Sequence, residues 1–179
     1  PLFKSSAAQF WPILGKITKP FSSNPFIIGL FFGNKKPENV HEFMQDFVEE
    51  MLVLEQGPAN IEGIGHVAVD VDCFICDAPA RAFLKKVKGH TGYYSCEKCQ
   101  QKGVWDRKIF FPDIVSEKRT DVSFNNMSNL EHHTGQSPLT QLSIGMVSQF
   151  PLEYLHLVCL GVVRRLLFHW LKSPVHKGI

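Results

Sequence analysis

Hydrophobic and polar positions divide the chain into alternating and helical stretches. Two short apolar runs, FWPILGKIT at 10–18 and PFIIGLFFG at 25–33, are punctuated by Pro and Gly and predict a hairpin of two strands. From Val40 onward the apolar positions recur at i, i+3, i+4, i+7 and i+8, which predicts an amphipathic helix over 38–56. On its two faces we expect Phe43, Phe47, Val48 and Met51 to be buried, and Glu42, Gln45, Asp46 and Glu49 to be exposed.

The middle of the chain changes period twice. Residues 65–76 alternate and are rich in β-branched side chains, so we predict a strand, which we place at the centre of the sheet. Residues 78–89 predict a short helix with Pro79 in its first turn and Gly89 after its end. Residues 100–140 are polar and irregular, and 150–172 return to a helical pattern. This order predicts an α/β or α+β domain with a mixed sheet and flanking helices.

Composition and charge exclude several classes of protein. A chain of 179 residues is long enough for one domain with a real core and too short to favour two. No apolar run approaches the roughly 18 residues of a membrane span, and no secretion signal is visible, so we expect no membrane partner. The net charge of +2 is too weak by itself to indicate nucleic acid. Five cysteines, an odd number, favour a reducing compartment and metal binding over a disulfide framework.

Asp77 is the sharpest candidate for chemistry. It follows the predicted strand directly, and ligands in α/β folds gather at the carboxyl ends of strands. A carboxylate in that place suits a hard cation such as Mg²⁺. The alternative is that Asp77 caps the following helix, a common role for Asp. Asp70 and Asp72 alternate with valines and are expected on the polar face of the strand.

Cys96 and Cys99 have the spacing of a structural zinc site. Cys73 and Cys76 precede them, but both lie inside the alternating strand, which would have to break for them to meet one ion. We therefore expect the site to be completed by His90 and by one of His132 or His133. The remaining cysteines, Cys73, Cys76 and Cys159, are expected to be ordinary core residues.

The last helical pattern carries a polar pair and a group of cations. Glu153 and His156 are three residues apart and share a helix face, where a simple surface contact is the alternative to a functional role. Arg164, Arg165 and Lys172 suit the C-terminal end of a helix and would equally suit a phosphate backbone.

Four segments in order give the chain a resemblance to a known family. They are PLFKSSAAQFWPILG, CDAPARAFLKKVKGHTGYYSCEKC, HHTGQSPL and FPLEYLHLVCLGVVRRLL, and together they extend over nearly the whole chain. With these segments the sequence resembles the transposases of the CACTA (En/Spm) type. The resemblance implies an RNase H-like fold in which three acidic residues hold two divalent metals, Mg²⁺ or Mn²⁺, for DNA strand cleavage and joining.

The resemblance also assigns residues. Asp77 matches the second catalytic aspartate of the family, Cys96 and Cys99 match its cysteine pair, and Glu153-x-x-His156 matches an Asp-x-x-His element. The family's first aspartate would precede Pro1 and its final glutamate would follow Ile179. We therefore expect this chain to be an incomplete core without its full triad, an interpretation that its start at Pro1 rather than Met also favours.

Two functional hypotheses follow. The first is a fragment of a cut-and-paste DNA transposase core, with a strand and helix core at 1–90, a zinc-braced metal-knuckle insert at 90–140 and a helical segment at 141–179. Its partner would be transposon-end DNA in the nucleus, with homo-oligomers possible. The second is a non-catalytic, transposase-derived, zinc-stabilised module that binds DNA or protein. In the first hypothesis the residues close to DNA would be Lys85, Lys86, Lys88, Glu153 and His156.

Overall fold

The computed structural model describes residues 8–172 as a mixed α/β chain with small antiparallel sheets. Every strand in this part of the chain belongs to a two-stranded hairpin, and the pairs are β1–β2, β3–β4 and β5–β6. The strands are β1 Gln9–Gly15, β2 Phe26–Gly33, β3 Ala59–Ile61, β4 Gly65–Val67, β5 Val104–Asp106 and β6 Lys108–Phe110. The helices are α1 Val40–Glu55, α2 Ala78–Lys85, α3 Asp121–Asn125 and α4 Arg164–Lys172, with 3₁₀ turns at Leu130–His132 and Pro138–Gln141 and a π-helical stretch at Leu155–Val163.

The first hairpin confirms the prediction from the two apolar runs. β1 and β2 pair antiparallel, with Trp11 opposite Phe31 and a register shift after Ile13. The inner face packs on α1, where the rings of Phe31 and Phe43 lie 6.2 Å apart. The outer face remains open to solvent although it is also apolar; its exposed side chains are Phe10, Leu14, Ile27, Leu30 and Phe32.

Helix α1 forms where the 3.6-residue period predicts it. Asn39 caps its first turn, because the Asn39 Oδ1 atom accepts a hydrogen bond from the His41 amide at 3.0 Å. Phe47, Val48 and Met51 are buried as expected, and all four polar residues of the opposite face are exposed. Phe43 is only half-buried, because it lies at the edge of the helix between the rings of Phe31 and Phe83.

The central strand predicted over 65–76 is wrong for most of its length. Only Gly65–Val67 forms a strand, and it pairs with β3. Beyond it the backbone bonds to a distant loop: the Phe74 amide donates to the Gln149 carbonyl at 2.8 Å, and the Gln149 side-chain amide donates to the Val71 carbonyl. The mixed sheet is therefore not observed in residues 8–172, and the RNase H-like fold stays a prediction.

The core lies between α1, the segment 71–76, α2 and the loop 139–150. Phe74 stacks on Phe150 with ring centroids 4.8 Å apart and packs edge-on against Phe47 at 6.0 Å. Helix α2 begins at Ala78 as predicted, but it ends earlier, at Lys86 in a left-handed conformation rather than at Gly89. The segment 100–140, predicted as loops, contains the hairpin β5–β6 and the short helix α3.

The predicted C-terminal helix begins at Leu155 and runs through α4, and none of its residues is buried. Within residues 8–172 no helix has the length and apolar character needed to cross a membrane.

Candidate functional site

Asp77 is the N-cap of α2. Its Oδ1 atom accepts a hydrogen bond from the Ala80 amide at 2.8 Å, and its side chain is half-buried at the start of the helix. No other described residue donates a hydrogen bond to its second carboxylate oxygen. The structure thus gives Asp77 the capping role that was the alternative to metal binding, and among residues 8–172 no donor contacts Oδ2. The catalytic role of Asp77 stays a prediction.

The sulfurs of Cys96 and Cys99 lie 3.1 Å apart. A tetrahedral zinc ion with Zn–S distances near 2.3 Å would hold two sulfurs about 3.8 Å apart. Both cysteines are half-buried, and burial is the main cause that raises the pKa of the Cys96 thiol above its usual value. The expected approach of the two sulfurs is therefore present.

His132 has the environment of a ligand histidine. It is fully buried, and its Nδ1 atom lies 2.6 Å from the Tyr94 carbonyl, to which an Nδ1–H can donate. That bond would leave Nε2 with its lone pair, and Nε2 is buried without a hydrogen-bond partner among the described residues. Burial lowers the pKa of His132 to about 4, helped by the charge of Arg119, although the bond to Tyr94 opposes the shift. His132 is thus neutral at pH 7.

The other two candidate histidines differ in position. His133 is half-buried, its ring packs 4.7 Å from that of Phe124, and its Nε2 atom is also buried and unpartnered among the described residues. His90 is exposed in the turn that follows Gly89.

The donors fit zinc in kind, since two sulfurs and a buried imidazole nitrogen are its usual ligands. They are not assembled, however: in the described part of the chain, no three His, Cys, Asp or Glu side chains form a group that could hold a metal ion. The zinc ligand set stays a prediction.

A buried ionic cluster joins the cysteine loop to α2, and sequence analysis missed it. Glu97, which lies between the two cysteines, contacts the Nε atom of Arg81 at 2.7 Å and the Nζ atom of Lys85 at 3.0 Å. The side chains of Arg81, Lys85 and Glu97 are 6%, 1% and 11% exposed. Burial alone would raise the pKa of Glu97, but Lys85 and Arg81 together hold it below its usual value.

Lys85 is therefore not a surface cation. Its ammonium lies 5.2 Å from the ring centroid of Phe124 and 5.3 Å from that of Phe150. The pKa of Lys85 is lowered, mainly by burial and further by the charges of Lys98 and Arg81, although Glu97 opposes the shift. The expectation that Lys85 faces DNA needs correction, since a side chain 1% exposed presents no charge to phosphate. The available signal was that Arg81 and Lys85, four residues apart, share one helix face.

Lys86 and Lys88 are half-buried, and their backbones bond to the segment that carries the histidines. The Thr134 amide donates to the Lys86 carbonyl and the Lys88 amide donates to the His132 carbonyl, each at 2.8 Å. These bonds place residues 86–88 beside 132–134, with an isolated bridge between Val87 and His133. Contact of Lys86 and Lys88 with DNA stays a prediction.

Glu153 and His156 meet as their spacing predicts. The Nδ1 atom of His156 lies 2.7 Å from Oε2 of Glu153. The Glu153 carboxylate also accepts hydrogen bonds from the backbone amides of Leu155 at 2.7 Å and His156 at 2.6 Å. The carboxylate thus caps the first turn of the C-terminal helix. The proximity of Glu153 and His156 to DNA stays a prediction.

Two further polar residues organise the site without any motif. Asp121 accepts hydrogen bonds from the Val147 amide at 2.6 Å, the Ser148 amide at 3.0 Å and the Ser148 hydroxyl at 2.6 Å. Burial would raise the pKa of Asp121, but these bonds outweigh it and lower that pKa. Arg119 donates from Nε to the Cys96 carbonyl at 2.9 Å and fixes the start of the cysteine loop.

The three other cysteines differ in environment. Cys73 is exposed, whereas Cys76 and Cys159 are half-buried, and Cys76 packs against the core. Burial raises the pKa of Cys76 to about 11, so it is a neutral thiol.

Comparison of the chain with protein-family models, with curated proteins and with solved structures found no match.

Proposed function

We propose that this chain is part of a DNA transposase catalytic core of the CACTA type, in which Asp77 supplies one metal-binding carboxylate and Cys96 and Cys99 belong to a structural zinc knuckle. One observation carries the proposal: the third and fourth of the segments that give the resemblance both contact the second. Arg81 of the second segment donates a hydrogen bond to the Pro151 carbonyl of the fourth at 3.4 Å. His132 of the third contacts the Tyr94 carbonyl at 2.6 Å.

The arrangement supports a division of labour among these residues. Divalent metal ions in such enzymes activate the attacking oxygen and stabilise the leaving one. Asp77 is fixed by its cap bond through Oδ1, and its other oxygen has no donor among the described residues, so it is free to accept a hard cation. Zinc at the cysteines would brace the loop that packs against α2.

A second candidate function is a zinc-stabilised binding module without catalysis. It is favoured by the capping role of Asp77, which gives that carboxylate a structural task without a catalytic one.

Substitutions at Asp77 separate the two functions, because Asn caps a helix as well as Asp but ligates a hard cation poorly. In the protein translated from the complete open reading frame, we expect Asp77→Asn to abolish Mg²⁺- or Mn²⁺-dependent cleavage of DNA carrying the element's ends. Its free energy of unfolding should stay within about 0.5 kcal/mol of wild type. Asp77→Ala should lose cleavage and about 1 kcal/mol of stability, since it also removes the cap.

Asp72→Asn is the matched control, because Asp72 is exposed five residues earlier on the same segment. It should leave both cleavage and stability unchanged. Full cleavage by Asp77→Asn would reduce Asp77 to a helix cap, and a wild-type protein without metal-dependent cleavage would favour the binding module.

A further inference from the structure

Glu97 stands between the two cysteines and is the main polar link from their loop to α2. Its two carboxylate oxygens are divided between the helix's cations: Oε1 accepts from Arg81 at 2.7 Å and Oε2 from Lys85 at 3.0 Å. Arg81 and Lys85 are one helical turn apart, so the carboxylate holds two successive turns at once. All three side chains are withdrawn from water, which strengthens the contacts relative to surface ion pairs.

Helix α2 depends on such contacts for its order. It has eight residues, and isolated helices shorter than about 12 residues are marginal in water. Asp77 is its N-cap, and Arg81 also donates to the Cys76 carbonyl at 3.1 Å, next to that aspartate. The position of Arg81 therefore bears directly on the backbone that presents Asp77.

The cysteine loop in turn fixes Glu97. The Cys96 carbonyl accepts from Arg119 at 2.9 Å, and Lys98 donates to the Val147 and Phe150 carbonyls at 2.9 Å each. These hydrogen bonds hold both ends of the loop 96–99. A metal ion bound by both sulfurs would restrict the backbone conformation of the loop further, because the ion closes a short ring through the backbone.

We infer that Glu97 is a positioning residue that transmits metal binding at Cys96 and Cys99 to α2, and so orders the turn that carries Asp77. The inference rests on the zinc knuckle of the proposed function. Coupling between two events is reciprocal, so a carboxylate that lets zinc order the helix must also let the ordered helix tighten zinc binding.

Hydrogen–deuterium exchange measured by mass spectrometry tests this coupling in the complete protein, with zinc chloride alone or with a chelator. In wild type, zinc should slow exchange of the α2 amides by roughly tenfold. In Glu97→Gln, which keeps the shape but loses the charge, the zinc-dependent slowing in α2 should fall to about twofold or less, and zinc affinity should weaken by a similar factor. Metal analysis should still find zinc on this variant.

Lys102→Met is the matched control, since Lys102 is exposed three residues after Cys99 and its ammonium lies 5.8 Å from the ring centroid of Tyr94 rather than at α2. It should leave the zinc-dependent slowing in α2 unchanged, and an equal loss of slowing in both variants would show that the effect is not specific to Glu97. Should Glu97→Gln fail to fold, Arg81→Gln removes the 2.7 Å contact to Glu97 together with the Arg81 bonds to the Cys76 and Pro151 carbonyls. Lys85 still contacts Glu97 in that variant, so the loss of slowing should be intermediate.

The outcomes distinguish this inference from the proposed function. Two results would overturn the role of Glu97 while leaving the zinc knuckle intact. In one, zinc slows amide exchange in α2 of Glu97→Gln as much as in wild type. In the other, wild type binds zinc but amide exchange in α2 is not slowed. A wild-type protein that metal analysis finds free of zinc after incubation with zinc chloride would overturn the knuckle itself, and the inference with it.

Discussion

Replacing Lys85 by Met tests whether the buried ammonium stabilises the protein. Met keeps most of the length and apolar stem of Lys but removes the charge and its three donors. Glu97 would then retain only Arg81, and the rings of Phe124 and Phe150 would flank a thioether in place of an ammonium 5.2 and 5.3 Å from their centroids.

The size of the effect follows from the contacts that are lost and from the burial of charge that is avoided. A hydrogen bond to a charged group contributes roughly 1.5–3 kcal/mol, and removing one partner of a buried pair costs about 3–5 kcal/mol. The variant no longer has to remove an ammonium group from water on folding, which offsets part of that loss. Arg81, at 2.7 Å, still pairs with the Glu97 carboxylate. We therefore expect Lys85→Met to lower the free energy of unfolding by about 3 kcal/mol, near the lower end of that range.

Urea unfolding followed by tryptophan fluorescence measures this change, with zinc held constant and the slope m compared between variants. For a chain of this length about 3 kcal/mol corresponds to a fall in Tm of roughly 6–12 °C. Lys86→Met is the matched control, because it makes the same side-chain change one residue later at a half-buried position, and it should stay within about 0.5 kcal/mol of wild type. Unchanged or higher stability of Lys85→Met would show that the cost of desolvating the ammonium is at least as large as the stabilisation from its contacts with Glu97 and the two rings.

Two further predictions concern His132 and Lys86. The pKa of His132 is about 4 in the folded protein and near 6.5 in the unfolded chain, so its contribution to stability is complete above pH 6.5 and is lost as pH falls toward 4. In chelator-treated protein this contribution should fall by about 3 kcal/mol over that interval, measured as the free energy of unfolding of wild type minus that of His132→Gln in urea titrations at each pH. A difference that stays constant with pH would contradict this. Lys86 ends α2 with φ of 53°, so Lys86→Gly should raise the free energy of unfolding by about 0.5–1 kcal/mol in thermal or urea melts, whereas an equal gain from Lys86→Ala would point to a cause other than the backbone.

Local patterns predicted the elements whose partners are local. The period of apolar residues from Val40 sufficed for α1, because its buried stripe depends only on spacing along one helix. The hairpin β1–β2 followed from two apolar runs separated by a short polar link. The approach of Cys96 and Cys99 likewise follows from a gap of two residues.

Features that depend on distant residues were beyond such patterns. The alternation of Val69 and Val71 with aspartates is typical of a strand, but Gln149, more than seventy residues away, takes the hydrogen bonds of this backbone. Lys85 belongs to a run of basic residues that suggested a surface, and only the fold brings Glu97 to it. Composition carries no information on which lysine of such a run is buried.

The apolar outer face of the β1–β2 hairpin has a practical consequence for handling the protein. Five large apolar side chains exposed on the outer face of this small sheet form a hydrophobic patch, which promotes aggregation during overexpression and concentration. Because Phe10 and Phe32 lie directly opposite each other and point away from α1, Phe10→Lys together with Phe32→Glu places opposite charges across the strands without touching the core. Such a pair is the first choice for obtaining material concentrated enough for the measurements above.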